Sequence, residues 1–260
     1  MSVGSLAIGA PSERSDYAPV LRWLLLNCLA ALGLVALWYF GLLQSTLASD
    51  RTHISWIIGV IFVLTALNCL YHTAQISRDL VASRRVRQII LERGADGLRI
   101  GGDGIVIDNG QPLERSVLTA HIFNLLTKAN VQGGVRFDQS LLLRALADRL
   151  RNRERFGLFV TEALLRLALL GTAIGFILML VPIANLDSFD PDKLRGALSG
   201  MTGGMSIALS VTVTGIASAL VLKFEFYLLD GSIADLFDLV TETSEIYVMS
   251  ALERRSNARP

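Results

Sequence analysis

GMSIALSVTVTGIASALVL, residues 204–222, decides how this chain is read. The stretch has no charged side chain, yet it carries Ser206, Ser210, Thr212, Thr214 and Ser218. Crossing the ~30 Å hydrocarbon layer of a bilayer takes about 20 apolar residues in a helix. Extended to 205–229, this run is long enough to cross. Five hydroxyls in an uncharged span then need an explanation.

Three other runs meet the same criterion: 21–43, 54–71 and 163–186. The whole composition agrees. Of 260 residues 52% are hydrophobic and only 18% charged, where a soluble domain averages about 25% charged. A cleavable signal is the rival for the first run, because STLAS at 45–49 has a small-residue character. The apolar core is too long for the ~7–15 residues of a signal h-region, so a retained anchor is expected.

Lys and Arg set the expected orientation. The 44–53 loop has Arg51 alone, and 187–204 has Lys193 and Arg195. Residues 72–160 hold fourteen, among them Arg84, Arg85, Arg87, Arg151 and Arg153, and the tail adds Arg254, Arg255 and Arg259. Both termini and the large loop are therefore expected on the cytoplasmic side. The resulting expectation is an all-α polytopic membrane protein with four transmembrane helices, long helical cytoplasmic extensions and a small β-hairpin. Its regions are a cytoplasmic tail (1–20), the first helix pair (21–71), an Arg-rich cytoplasmic domain (72–160), the second helix pair (161–230) and a cytoplasmic helix and tail (231–260).

Within the cytoplasmic parts, helical periodicity runs over 76–94, over 113–128 and from 137 into the third span. Between the first two, a hairpin is expected, 98–100 against 105–107, turning on Gly101-Gly102-Asp103-Gly104. A phosphate-binding loop would need a Gly-Lys-Ser/Thr ending that is absent here. After the fourth span no Lys or Arg occurs between 224 and 253, whereas Glu225, Asp230, Asp235, Asp238, Glu242 and Glu245 do. This acidic run meets the Arg-rich loop in one compartment. It reads either as a solvated face or as a set of ion-pair partners, and the same arginines also suit anionic lipid headgroups.

Several function classes find no support. Net charge is +1, so no direct nucleic-acid partner is expected on charge grounds. Cys28 and Cys69 lie inside apolar runs, and His53, His72 and His121 are scattered, so no metal site is expected. No nucleophile–base pair points to an enzyme, and no cofactor is implied. An ion pump needs an ionisable group near the bilayer midplane. Arg22, Glu162, Arg166, Lys223 and Glu225 all fall near the cytoplasmic span ends, where long side chains snorkel. A conducting assembly would have to receive its carboxylate from another chain.

At 100° per residue Ala208, Thr212, Gly215 and Ala219 share one face of the fourth span. Ser206, Ser210, Thr214 and Ser218 form a second stripe. In the third span Ala168, Thr172 and Gly175 align, and Gly171 with Gly175 makes a GxxxG pattern. Close helix packing explains such faces, and so does a helix enclosed on both sides in a ring.

ALLRLALLGTAIGFILML (163–180) resembles the Leu-Gly-Leu-x-Gly-Thr-x-x-Gly span of the MotA/TolQ/ExbB proton-channel family. ALSVTVTGI (208–216) is similar to the Ala-Leu-x-x-Thr-x-x-Gly-Leu of that family's last span. The likeness covers about 150–230, the expected channel core. It implies a homo-pentamer around a dimer of a MotB/TolR/ExbD-like single-span partner with a transmembrane Asp, in a bacterial inner membrane. Proton flow would drive mechanical work, with Na+ also open. Thr172 and Thr212 would face the lumen with Ala168, Gly175, Ala208 and Gly215. Gly171 and the serine-rich stripe would pack against neighbouring helices. Two departures leave the subfamily open: four spans as in MotA-like members, and Ile207 where TolQ- and ExbB-like members carry Glu. The load also stays open. A non-conducting scaffold that assembles through small-residue helices is the alternative.

Overall fold

A computed structural model describes residues 18–39, 53–101, 104–107, 111–132, 139–184 and 191–257. The tail before residue 18, most of the 44–53 loop with Arg51, Gly102-Asp103, Arg136 and Arg259 lie outside the described residues. The elements are α1 (Ala18–Tyr39), α2 (Ile54–Arg93), β1 (Arg99–Gly101), β2 (Gly104–Ile107), β3 (Gln111–Pro112), α3 (Val117–Gln132), α4 (Ser140–Ala184), α5 (Pro191–Thr243), one π-helical turn (Ser244–Met249) and α6 (Ser250–Asn257). The described chain is overwhelmingly helical, and α1, α2, α4 and the helix beginning at Pro191 are each long and apolar enough to cross a membrane.

The helices do not stop where their apolar runs do. α2 has 40 residues, α4 has 45 and α5 has 53, about twice or more what a bilayer core requires. No Gly or Pro falls in the part of α2 beyond Gly59, so the helix continues to Gly94. Gly94 takes a left-handed φ of 79°, and its N–H donates to Ile90 O at 2.9 Å. That is the αL cap that glycine supplies without Cβ strain. At the start of α3 the Ser116 hydroxyl accepts from the Thr119 N–H at 3.1 Å, an N-cap bond. α5 opens on Pro191 and Asp192, where a missing N–H costs nothing and a carboxylate meets the positive helix end.

The described chain forms two compact units. The first comprises the described residues of 18–22, 73–148 and 232–257. Its antiparallel sheet has the order β1-β2-β3, with Ile100 opposite Ile105 and Val106 opposite Pro112. The hairpin matches the sequence reading within one residue; β3 is an addition, two residues long and containing a proline. Leu98, Ile105 and Ile107 are buried together with Leu118, Ile122 and Leu125 of α3, and α3 contacts β1, β2 and the π turn. Arg87 Nη2 lies 2.9 Å from Glu242 Oε1, and Arg254 Nη2 lies 3.3 Å from Asp96 Oδ1. Arg255 donates to Leu98 O at 3.0 Å.

The second unit comprises 23–72 and 149–231. Its axis is an antiparallel pairing of α4 with α5. Along α4 the buried positions Leu150, Glu154, Gly157, Thr161, Leu164, Ala168, Gly171 and Gly175 alternate four and three residues apart. A 3.5-residue spacing is the seam of left-handed helix packing. Each turn gained along α4 meets one turn lost along α5: Gly157 faces Phe226, Ala168 faces Gly215, Gly171 faces Val211 and Gly175 faces Ala208.

Candidate functional site

Small residues let α4 and α5 approach until their backbones nearly touch. A Cβ at Gly175 would stand 2.6 Å from the Ala208 Cβ and 2.7 Å from its backbone N. One at Gly215 would stand 2.5 Å from the Ala168 Cβ, and one at Gly204 the same distance from the Met179 backbone N. Side chains at Gly171 and Gly157 would run into Val211 and the Phe226 ring. Helices in lipid gain nothing from excluding water, so they associate through dispersion over such surfaces.

The four small residues grouped with the lumen, Ala168, Gly175, Ala208 and Gly215, therefore make contacts within this one chain. The two threonines sit differently. Thr172 and Thr212 each follow one residue after the Gly171–Val211 contact, and both are only partly buried. The Thr172 hydroxyl donates to Leu169 O at 2.6 Å and that of Thr212 to Ala208 O at 2.8 Å. Each hydroxyl is thereby tied to its own helix while its oxygen stays able to accept from a neighbour. In the second stripe Ser210 is buried, and Ser206, Thr214 and Ser218 are partly buried. Outward from the seam, Leu169, Leu170, Phe176, Leu209, Val213 and Leu220 are exposed, far more apolar surface than a monomer in water leaves bare.

The charged candidates separate. Arg87 pairs with Glu242, and Arg85 lies 3.7 Å from Glu114 between two exposed side chains; such surface pairs contribute about 0–1 kcal/mol. Arg84 and Arg153 are partly buried, and Arg151, Asp235 and Asp238 are exposed. Asp230 faces a carboxyl rather than an arginine alone: it is set against Glu154, which is 8% exposed on the α4 seam. Burial pushes the Glu154 carboxyl above its usual range, Asp230 pushes it further, and Arg151 opposes them. In the first unit burial lowers the His121 imidazole, with Gln139 acting the other way.

Glu154 makes a pH prediction. A carboxyl held above its unfolded value favours the fold at low pH, and that contribution fades as pH rises through the raised value. Thermal unfolding in detergent should therefore lose stability with rising pH across the range just above the ordinary glutamate value. One group can account for at most about 1.4 kcal/mol per pH unit. Glu154→Gln should flatten this slope, and an unchanged slope would refute the assignment.

Glu225 stands apart from the acidic run in which the sequence places it. It is completely buried, and neither carboxylate oxygen has a hydrogen-bond partner. The signal was present in the sequence: Leu222, Phe226 and Leu229 occupy its stripe of α5 and are all buried. Among the described residues no group of three His, Cys, Asp or Glu side chains could hold a metal ion.

No family model, curated protein or solved structure matches this chain.

Proposed function

We propose that this chain is the ring-forming subunit of an ion-driven membrane motor. It would work with a single-span partner that brings a transmembrane Asp. The observation that carries the reading is the placement of Thr172 and Thr212. Both stand partly open beside a seam too tight for any larger side chain, in the two helices that resemble the MotA/TolQ/ExbB core. In a homo-pentamer these hydroxyls would line a lumen and orient water beside the partner's carboxylate, with H+ as the ion and Na+ the other candidate. The Lys and Arg distribution supports four spans in a bacterial inner membrane with both termini in the cytoplasm. The exposed apolar faces suit lipid and neighbouring copies.

A second reading is favoured by the intrachain contacts of Ala168, Gly175, Ala208 and Gly215. These residues serve packing, which a non-conducting scaffold would need equally. Native mass spectrometry of the gently extracted chain, alone and co-expressed with a single-span protein encoded beside it, tests the choice. A pentamer holding two copies of an Asp-bearing partner is the expected result. A monomer or dimer that captures no such partner would sink the motor reading.

A further inference from the structure

Glu225 is the one fully buried carboxylate among the described residues, and it lies inside the fourth apolar run. Around it, Trp23 and Asn27 of α1 and Cys69 of α2 are the polar groups set against it, though none completes a hydrogen bond to either oxygen. The Trp23 indole N–H is itself buried without a partner. Asn27 already donates to Trp23 O at 3.2 Å. Three helices thus enclose an acid and an indole donor, each with its hydrogen-bonding capacity unspent. A bare carboxylate enclosed in this way would cost several kcal/mol, and such groups neutralise instead.

We propose that Glu225 is a proton-binding site of this chain, closed by Trp23, Asn27 and Cys69 and loaded as the neutral acid at neutral pH. The carboxylate takes one proton from water, and no other bond forms or breaks. The surrounding donors select a proton over a metal ion. Indole N–H donates only, a thiol ligates hard cations poorly, and the Asn27 carbonyl is the single extra oxygen, whereas Na+-like cations need a shell of oxygens. Of the groups set against the carboxyl, Cys69 on α2 can itself titrate. Lys223 on α5 is exposed, and so is Arg22 at the start of α1, so neither is enclosed with the acid.

The inference rests on the four-span reading but not on the motor, because it concerns the isolated chain. Its test is the infrared spectrum of the purified protein in detergent at neutral pH, where a protonated carboxyl absorbs apart from a carboxylate. Glu225→Gln should remove one protonated-carboxyl band that Glu154→Gln leaves in place. Glu225→Asp, which keeps an acid but shortens its reach, should shift the same band. Identical carboxyl regions in the parent and Glu225→Gln proteins would overturn the proposal. Should Glu225→Gln fail to fold, a band unmoved by Glu225→Asp would overturn it as well. Because no partner protein is present, either failure leaves the motor reading to its own experiment.

Discussion

Alanine at Gly204 should destabilise the chain by about 1–3 kcal/mol, the ordinary cost of overpacking. Alanine at Gly203, its immediate neighbour, should instead stabilise the chain by up to about 1 kcal/mol through helix propensity. The new methyl at Gly204 would meet Met179 backbone atoms at 2.5 and 2.6 Å, and backbone cannot turn aside as a side-chain end can. At Gly203 nothing lies within 4 Å. Gly175→Ala should behave like Gly204→Ala, because its methyl meets the Ala208 backbone N at 2.7 Å. Combining the two should cost less than their sum, since the first already pushes α4 and α5 apart. Leucine at Gly175 should leave almost no folded protein to extract. Thermal unfolding in one detergent, read for the four single variants, decides the matter. Opposite signs at 203 and 204 are the expected signature of an intrachain seam; equal effects would remove it.

The seam also marks where the sequence could be read and where it could not. Four helices follow from four apolar runs of about 20 residues, the length a helix needs to cross lipid and about twice that of a barrel strand. The continuation of α2 to Gly94 follows from the lack of any breaker after Gly59. The hairpin follows from its glycines and the flanking Ile and Val residues. β3 could not be foreseen, since two residues with a proline carry no periodic signal and form a strand only because β2 offers an edge. A helical wheel places Ala208, Thr212 and Gly215 together, and small residues do gather on that side. Which of Val211 and Thr212 turns into the contact depends on the register of α4, and one helix's sequence does not contain the register of its partner. The chosen period matters too. At 3.5 residues per turn the seam runs through 204, 208, 211 and 215, and Thr212 moves to its edge.

Glu225 escaped for a related reason. Position along the chain puts it at the end of an apolar run, where a carboxylate ordinarily reaches water. The stripe of Leu222, Phe226 and Leu229 marks its buried side, but Trp23, Asn27 and Cys69, the polar groups set against the carboxyl, are distant in sequence and brought to it by folding. Charge contacts showed the same limit. The sign pattern left a solvated face and pairing between the Arg-rich stretch and the acidic run both open, and the structure contains one such pair, Arg87 with Glu242. Asp230, one turn beyond Phe226, faces Glu154 instead, because the antiparallel register sets those two carboxyls against each other.

On the proposed motor reading, replacing both Thr172 and Thr212 with Val should leave the fold and the oligomer intact and reduce ion flux at least about tenfold, roughly 1.4 kcal/mol on the barrier. Valine keeps the branched shape, and the carbonyls of Leu169 and Ala208 lose only a second, side-chain hydrogen bond. The structural penalty is therefore small. What disappears is the hydroxyl at each partly open position, and with it the means to hold water beside an incoming carboxylate. Flux is read with a pH-sensitive dye in vesicles containing the chain and a co-expressed single-span protein, and assembly by native mass spectrometry of the same sample. Serine at both sites restores the hydroxyl without the methyl and should recover most of the flux. If valine instead breaks the oligomer while the remaining assembled fraction conducts normally, the hydroxyls act in packing. Thr172 and Thr212 would then join Ala168 and Gly215 as parts of a scaffold.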